Sequence, residues 1–172
     1  MRTRGINHLA LVCKDMAQTA RFYTEILGMP LVKTVELPDG GQHFFFDCGG
    51  GSMIAFFWWK DAPPAAPGVA SVERFPSKPK TAVGSMNHVA FTVDESDLES
   101  LLERLRAAKV PVLPVVVNHD DSPQGAAREN HPGVFVRSVY FTDPNGIMME
   151  FAASTRALTP ADVRHEPATA DA

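Results

Sequence analysis

A chain of 172 residues is long enough for one domain with a substantial core, or for two small modules sharing one sheet system. Hydrophobic residues at 45%, charged residues at 21% and a net charge of -4 leave no basic stripe for nucleic acid, and no apolar run approaches the roughly 20 residues that cross a bilayer. The opening MRTRGINHLALVCKD carries too short an apolar run for a signal peptide, so the expected compartment is the cytoplasm, with Cys13 and Cys48 as separate reduced thiols.

In chain order, INHLAL at 6 to 11 predicts a strand, DMAQTARFYTEILG at 15 to 28 a helix, and MPLVKTVEL at 29 to 37 a second strand. HFFFDCGGGSMIAFFWW at 43 to 59 reads as two apolar strands joined by an Asp and Gly-rich turn. The stretch from 60 to 85, rich in Pro and Ala and without periodicity, reads as a surface linker. The order then recurs. MNHVAF at 86 to 91 repeats INHLAL, ESDLESLLERLRAAK at 95 to 109 is helical, and VPVLPVVV at 110 to 117 is a strand. A long connection, 118 to 138, precedes VYFTDPNGIMMEFAAS at 139 to 154, two strands about a Pro-Asn-Gly turn. Each half is therefore β-α-β-β-β. The expectation is an α+β chain, a single domain over 1–155 made of modules 5–59 and 86–155 with linker 60–85, and a loosely held tail over 156–172.

Superposing the halves places His8 on His88 and MIAF, 53 to 56, on MMEF, 148 to 151. Glu150 then occupies the position of Ala55. With a strand period of two, Met148, Glu150 and Ala152 share a face, so the carboxylate sits among apolar neighbours and needs a cation, hydrogen bonds or a metal. Alone, Glu150 reads equally as half of a salt bridge, and either histidine as a satisfied core residue. Together the three supply the ligand types of a two-histidine, one-carboxylate site, suited to Fe(II), Mn(II), Zn(II), Ni(II) or Co(II).

Paired β-α-β-β-β modules with a histidine on both first strands and a glutamate on the last resemble the vicinal oxygen chelate superfamily, over about residues 5 to 153. That superfamily includes glyoxalase I, extradiol dioxygenases, fosfomycin-resistance proteins and bleomycin-resistance proteins. The resemblance implies a cupped metal-binding sheet, His8, His88 and Glu150 as metal ligands, a small-molecule substrate and a homodimer. Alanine at 55 is unlike a four-ligand glyoxalase. HPGVFVRSVYFTDPNGIMME resembles the extradiol pattern, which implies His131 and Tyr140 as catalytic groups beside the metal, with Fe(II) foremost and a catechol-like aromatic ring cleaved with O₂. Two departures stand out: Glu129 stands two places before the histidine where a small or β-branched residue is expected, and Ser52 or Gly51 stands where extradiol enzymes carry an acid/base histidine. His43 on the preceding strand is the candidate to supply that function. The alternatives are a glyoxalase-like or fosfomycin-resistance-like lyase, isomerase or thiol transferase, and an antibiotic-binding protein. Trp58 and Trp59 could line an aromatic pocket or pack in the core. The acidic loop NHDDS, 118 to 122, is expected to be solvated and outside the site.

Overall fold

The computed structural model describes residues 5–38, 40–65, 81–165 and 167. Most of the proposed linker, 66–80, lies outside the described residues, as does the end of the proposed tail. Two four-stranded sheets form, one per half, with matching orders. In the first, β1 (His8–Val12) lies parallel to β4 (Met53–Trp58), followed by β3 (Gln42–Asp47) and β2 (Leu31–Glu36), both antiparallel to their neighbours. In the second, β5 (Val89–Thr92) lies parallel to β8 (Met148–Ser154), followed by β7 (Val136–Thr142) and β6 (Val117–His119). The repeated β-α-β-β-β order is thus present in both halves, with α1 (Met16–Arg21) and α2 (Leu98–Ala107) as the crossovers. No helix among the described residues is long and apolar enough to span a membrane.

Two elements depart from the sequence expectation. The first helix begins where Asp15 accepts from the backbone N–H of Gln18 at 2.8 Å, but after Arg21 it widens into a π-helical turn over Phe22–Ile26. Leu27 N–H donates to the Phe22 carbonyl, and Gly28 leaves the turn at φ +75, a conformation glycine adopts without a side-chain penalty. The second departure is in the strand expected over 110 to 117. Pro111 and Pro114 have no N–H to donate, so the ladder there reduces to a bridge between Val112 and Phe141, with Leu113 N–H reaching the Tyr140 carbonyl. Regular pairing starts only at Val117 and runs through His119, which draws into the sheet residues expected in a loop.

One core lies behind both sheets. Leu11, Ile54, Phe56, Phe44 and Phe46 of the first half pack in the same cluster as Phe91, Val139, Phe141, Met149 and Phe151 of the second, with Tyr23, Leu98, Leu102 and Leu105 from the helical segments. Tyr23 is fully buried and its hydroxyl donates to Asp143 Oδ2 at 3.3 Å, and Lys14 N–H donates to Asn145 Oδ1 at 3.0 Å. The first helix therefore docks on the turn between β7 and β8. The strand alternation then directs the opposite side chains of each sheet outward: His8, Ala10 and Val12 are exposed while Leu9 and Leu11 face inward.

On that outer face of the first sheet the aromatic side chains form a ladder. His43 stacks on Phe57 with centroids 3.6 Å apart, and Phe57 stacks on Trp59 at 4.8 Å. Gly41 makes room for the indole, because a Cβ there would lie 2.6 Å from Trp59 Cδ1 and 2.9 Å from the Trp58 carbonyl oxygen. Gly41→Ala is expected to destabilise the fold by about 1–3 kcal/mol through overpacking against backbone as well as ring. A lowered urea midpoint with an altered tryptophan emission would register it; an unchanged midpoint would show that the ladder yields freely.

Candidate metal centre

Glu150 is 5% exposed and lies directly across from Tyr140 on β7 and beside Ala90 on β5. Its two oxygens have separate partners. Oε1 accepts from the Ser138 hydroxyl at 2.5 Å, and Oε2 lies 2.9 Å from His88 Nε2. Burial raises the cost of the carboxylate, yet the hydrogen bonds from His88 and Ser138 outweigh it and hold the group below its ordinary range. The same bond holds the His88 imidazole above its ordinary value, against a smaller opposing effect of burial.

Both candidate histidines carry the same brace. His88 Nδ1 lies 2.7 Å from Asn87 Oδ1, and His8 Nδ1 lies 2.8 Å from Asn7 Oδ1. An amide oxygen can only accept, so each Nδ1 carries a proton, and a cation would take Nε2, at His88 in place of the proton that Nε2 donates to Glu150. That donor set fits a divalent metal: a neutral imidazole and a carboxylate oxygen within hydrogen-bond distance can share a proton or ligate one cation. His8 stands on the equivalent outward face of the other sheet, where its ring meets Phe45 edge to face at 5.5 Å. Among the described residues, no three His, Cys, Asp or Glu side chains converge within the chain.

The remaining candidates are placed as follows. Tyr140 is beside the pair, its ring 5.9 Å from that of His88 and nearly perpendicular to it. Burial and the Glu150 charge push its hydroxyl up to about 12, so it is a neutral hydrogen-bonding group. His131 has both ring nitrogens engaged in its loop: Gly133 N–H donates to Nδ1 at 3.0 Å, which leaves Nε2–H to donate to Asp120 Oδ2 at 3.2 Å. It lines a cleft of about 360 Å³ together with Glu95, Val134 and Arg156. His43 lies flat on Phe57 and its Nδ1 is 3.2 Å from the Phe56 carbonyl oxygen. The structure thus brings His88, Glu150 and Tyr140 together and keeps His8, His43 and His131 in other surroundings.

Four residues without a role in the sequence reading now have one. Ser138 and the two asparagines orient Glu150 and the two candidate histidines, and the repeated Asn-His pair in INHLAL and MNHVAF was the available signal for the latter. His119 is the fourth. Its Nε2 lies 3.0 Å from the Tyr140 hydroxyl, on the face of the second sheet that carries Glu150.

Residues 5–151 match the family described as the Glyoxalase/Bleomycin resistance protein/Dioxygenase superfamily. The chain belongs to this superfamily. Within it, the chain is 27% identical over 156 residues to the metallothiol transferase FosB of Lysinibacillus sphaericus, covering 90% of this chain and 86% of that protein. It is 46% identical over 48 residues to the putative ring-cleaving dioxygenase MhqE of Bacillus subtilis, a stretch covering 27% of this chain and 16% of that one. Among solved structures, a glyoxylase/bleomycin resistance protein/dioxygenase domain from Frankia sp. EAN1pec superposes with a TM-score of 0.64 at 20% identity, covering 89% of this chain and 99% of that one. The fosfomycin resistance protein FosX of Listeria monocytogenes superposes at 0.57, also at 20% identity, covering 90% and 96%. The paired modules are thus the fold of this superfamily.

Proposed function

We propose that this superfamily member is a divalent-metal enzyme that joins a thiol or similar nucleophile to a small electrophile, with His88 and Glu150 as two ligands and His8 as the third. The observation that carries the reading is the contact between His88 Nε2 and Glu150 Oε2, with Asn87 and Ser138 fixing the outer atoms of both groups. A cation held there would act as a Lewis acid towards a substrate oxygen. Tyr140 offers its neutral hydroxyl next to the pair, and Phe45 next to His8 gives the site an apolar side. Mn(II), Zn(II), Ni(II), Co(II) and Fe(II) all accept this donor set.

The centre is completed between two copies. The helix-bearing sides of both sheets share one core, so the faces with His8 and with His88 point outward and can each meet the complementary face of a second chain. A homodimer of this kind has two equivalent sites, each with His8 from one chain and His88 with Glu150 from the other.

Likeness to FosB over nearly the whole chain supports transfer chemistry, whereas likeness to the ring-cleaving protein is confined to 48 residues. Fe(II)-dependent cleavage of a catechol with O₂ is the second reading, favoured by that stretch and by the aromatic ladder of His43, Phe57 and Trp59. Against it, His131 and His43, its acid/base candidates, are bonded elsewhere. To test the two, the protein is loaded in turn with each metal and given L-cysteine or glutathione with an epoxide panel that includes fosfomycin and styrene oxide. The expected result is loss of free thiol without oxygen uptake. Oxygen uptake with a yellow product from catechols under Fe(II) would replace this reading with the second, and tight binding without turnover would make the protein a binding module.

A further inference from the structure

His119 is the last residue of β6, and its imidazole reaches across to β7, where Nε2 lies 3.0 Å from the Tyr140 hydroxyl. The two rings meet at 83° with centroids 5.9 Å apart, so the contact is made by the ring nitrogen. A phenol O–H is a stronger acid than a neutral imidazole N–H, so in the neutral pair Tyr140 donates and His119 accepts. With its proton directed to His119, the Tyr140 oxygen keeps lone pairs for a ligand on the face shared with His88 and Glu150. The charged and titratable groups facing this imidazole are Tyr140 on β7 and Glu150 on β8. Asp120, next in the chain, is occupied by the Ser122 hydroxyl at 2.6 Å and by His131.

The geometry points to His119 as the terminal proton acceptor of the site, reached through Tyr140, for a protic ligand, a thiol or hydroxyl, bound beside Glu150. The ligand's S–H or O–H bond breaks and its proton joins the Tyr140 oxygen while the Tyr140 proton moves to Nε2. The balance is one N–H bond formed at His119, a ligand left as its anion, a neutral Tyr140 and no change in oxidation state. This rests on His88 and Glu150 being the cation ligands. His119 touches no ligand in this scheme and acts as a positioning residue whose basicity is also used.

The test uses the full chain loaded with redox-inert Zn(II) and 4-nitrocatechol as the protic probe, whose ionisation changes its visible band. In the wild type the bound probe is expected to ionise about one pH unit lower, a tenfold effect, than in Tyr140→Phe. His119→Phe should match Tyr140→Phe, and the double variant should show no further shift, as two members of one relay are non-additive. His119→Gln separates basicity from shape: the amide can hold the Tyr140 hydroxyl but cannot take the proton, so it should behave as His119→Phe. Wild-type behaviour in His119→Gln, additive effects in the double variant, or wild type that does not bind the probe would each overturn the assignment. Zinc content is measured alongside. If the wild type holds no zinc, the metal reading fails by itself, and the dyad is read in metal-free protein from the His119 ring ¹⁵N shift, which must move in Tyr140→Phe; an unmoved shift overturns it.

Discussion

Glu150→Gln is expected to lose divalent metal by at least about 100-fold in affinity, since loss of even an outer partner of a ligand typically costs about 10–100-fold. The amide keeps the shape and can still meet Ser138, so the fold should persist, but the anionic oxygen facing His88 Nε2 is gone. Ser138→Ala leaves that oxygen in place and removes only the bond that orients it, which places its expected effect near tenfold. Calorimetric titration with Mn(II) and Zn(II), with far-ultraviolet circular dichroism as the check on folding, reads both. Wild-type metal affinity in Glu150→Gln would end the ligand assignment. The proposed arrangement between copies has its own signature. His8→Ala and His88→Ala, each deficient alone, should regain roughly a quarter of the sites when unfolded together and refolded. Half of the dimers are then mixed, and each mixed dimer has one intact centre. A centre built within one chain regains none.

The candidate ligands were legible because two independent regularities coincide at them. The repeat aligns His8 with His88, and the two-residue strand period places Glu150 on the same outward face as Ala90. The β-α-β-β-β order was legible for the same reason, each half confirming the other. What was not legible depends on contacts remote in sequence or on broken strands. Pro111 and Pro114 interrupt the pattern that would have carried the strand onward to His119, so that histidine read as part of a solvated acidic loop. His131 fits the extradiol spacing to Tyr140 and Glu150, but spacing says nothing of a side chain in an irregular connection, where Asp120 and Gly133 decide its direction. Tyr23 carried no signal of its own within the predicted helix. Its partner, Asp143, is 120 residues away, in a turn whose Asp, Pro, Asn and Gly explained themselves locally.

That distant pair leads to the largest expected effect on stability, that of Asp143→Ala. Asp143 is buried, and its Oδ1 accepts from the backbone N–H groups of Asn145 and Ile147 at 2.8 and 2.9 Å, while Oδ2 accepts from Tyr23 and from the Asn145 amide. One side chain thus shapes the β7–β8 turn and fastens it to the helix of the first half. Alanine leaves the buried Ile147 N–H without an acceptor and the Tyr23 hydroxyl with only the weak thioether of Met149, 3.8 Å away, at about 1–3 kcal/mol for each group. The expected sum is about 3 kcal/mol or more, a melting temperature lower by roughly 6–12 °C for a chain of this size. Tyr23→Phe removes the hydroxyl's bonds to Asp143 and Met149 and leaves the turn intact, for about 1 kcal/mol, and the two substitutions should be non-additive. The pH dependence has a definite sign. Burial pushes the Asp143 carboxyl above its ordinary value, against the bonds from Ile147 and Asn145, so between the unfolded and folded values the native state holds the extra proton. The stabilisation from that proton is complete below about pH 4 and is lost as the pH rises through the folded value. Asp143→Asn does not titrate, so its stability relative to the wild type should improve from pH 4 to pH 7. Urea unfolding at both ends of that range reads the difference and cancels carboxylates of the opposite sign, such as Asp120 and Asp162, held low by hydrogen bonds from Ser122 and Arg156. A difference that shrinks or stays flat would mean that Asp143 is ionised at little cost and that its bonds to Ile147, Asn145 and Tyr23 outweigh its burial.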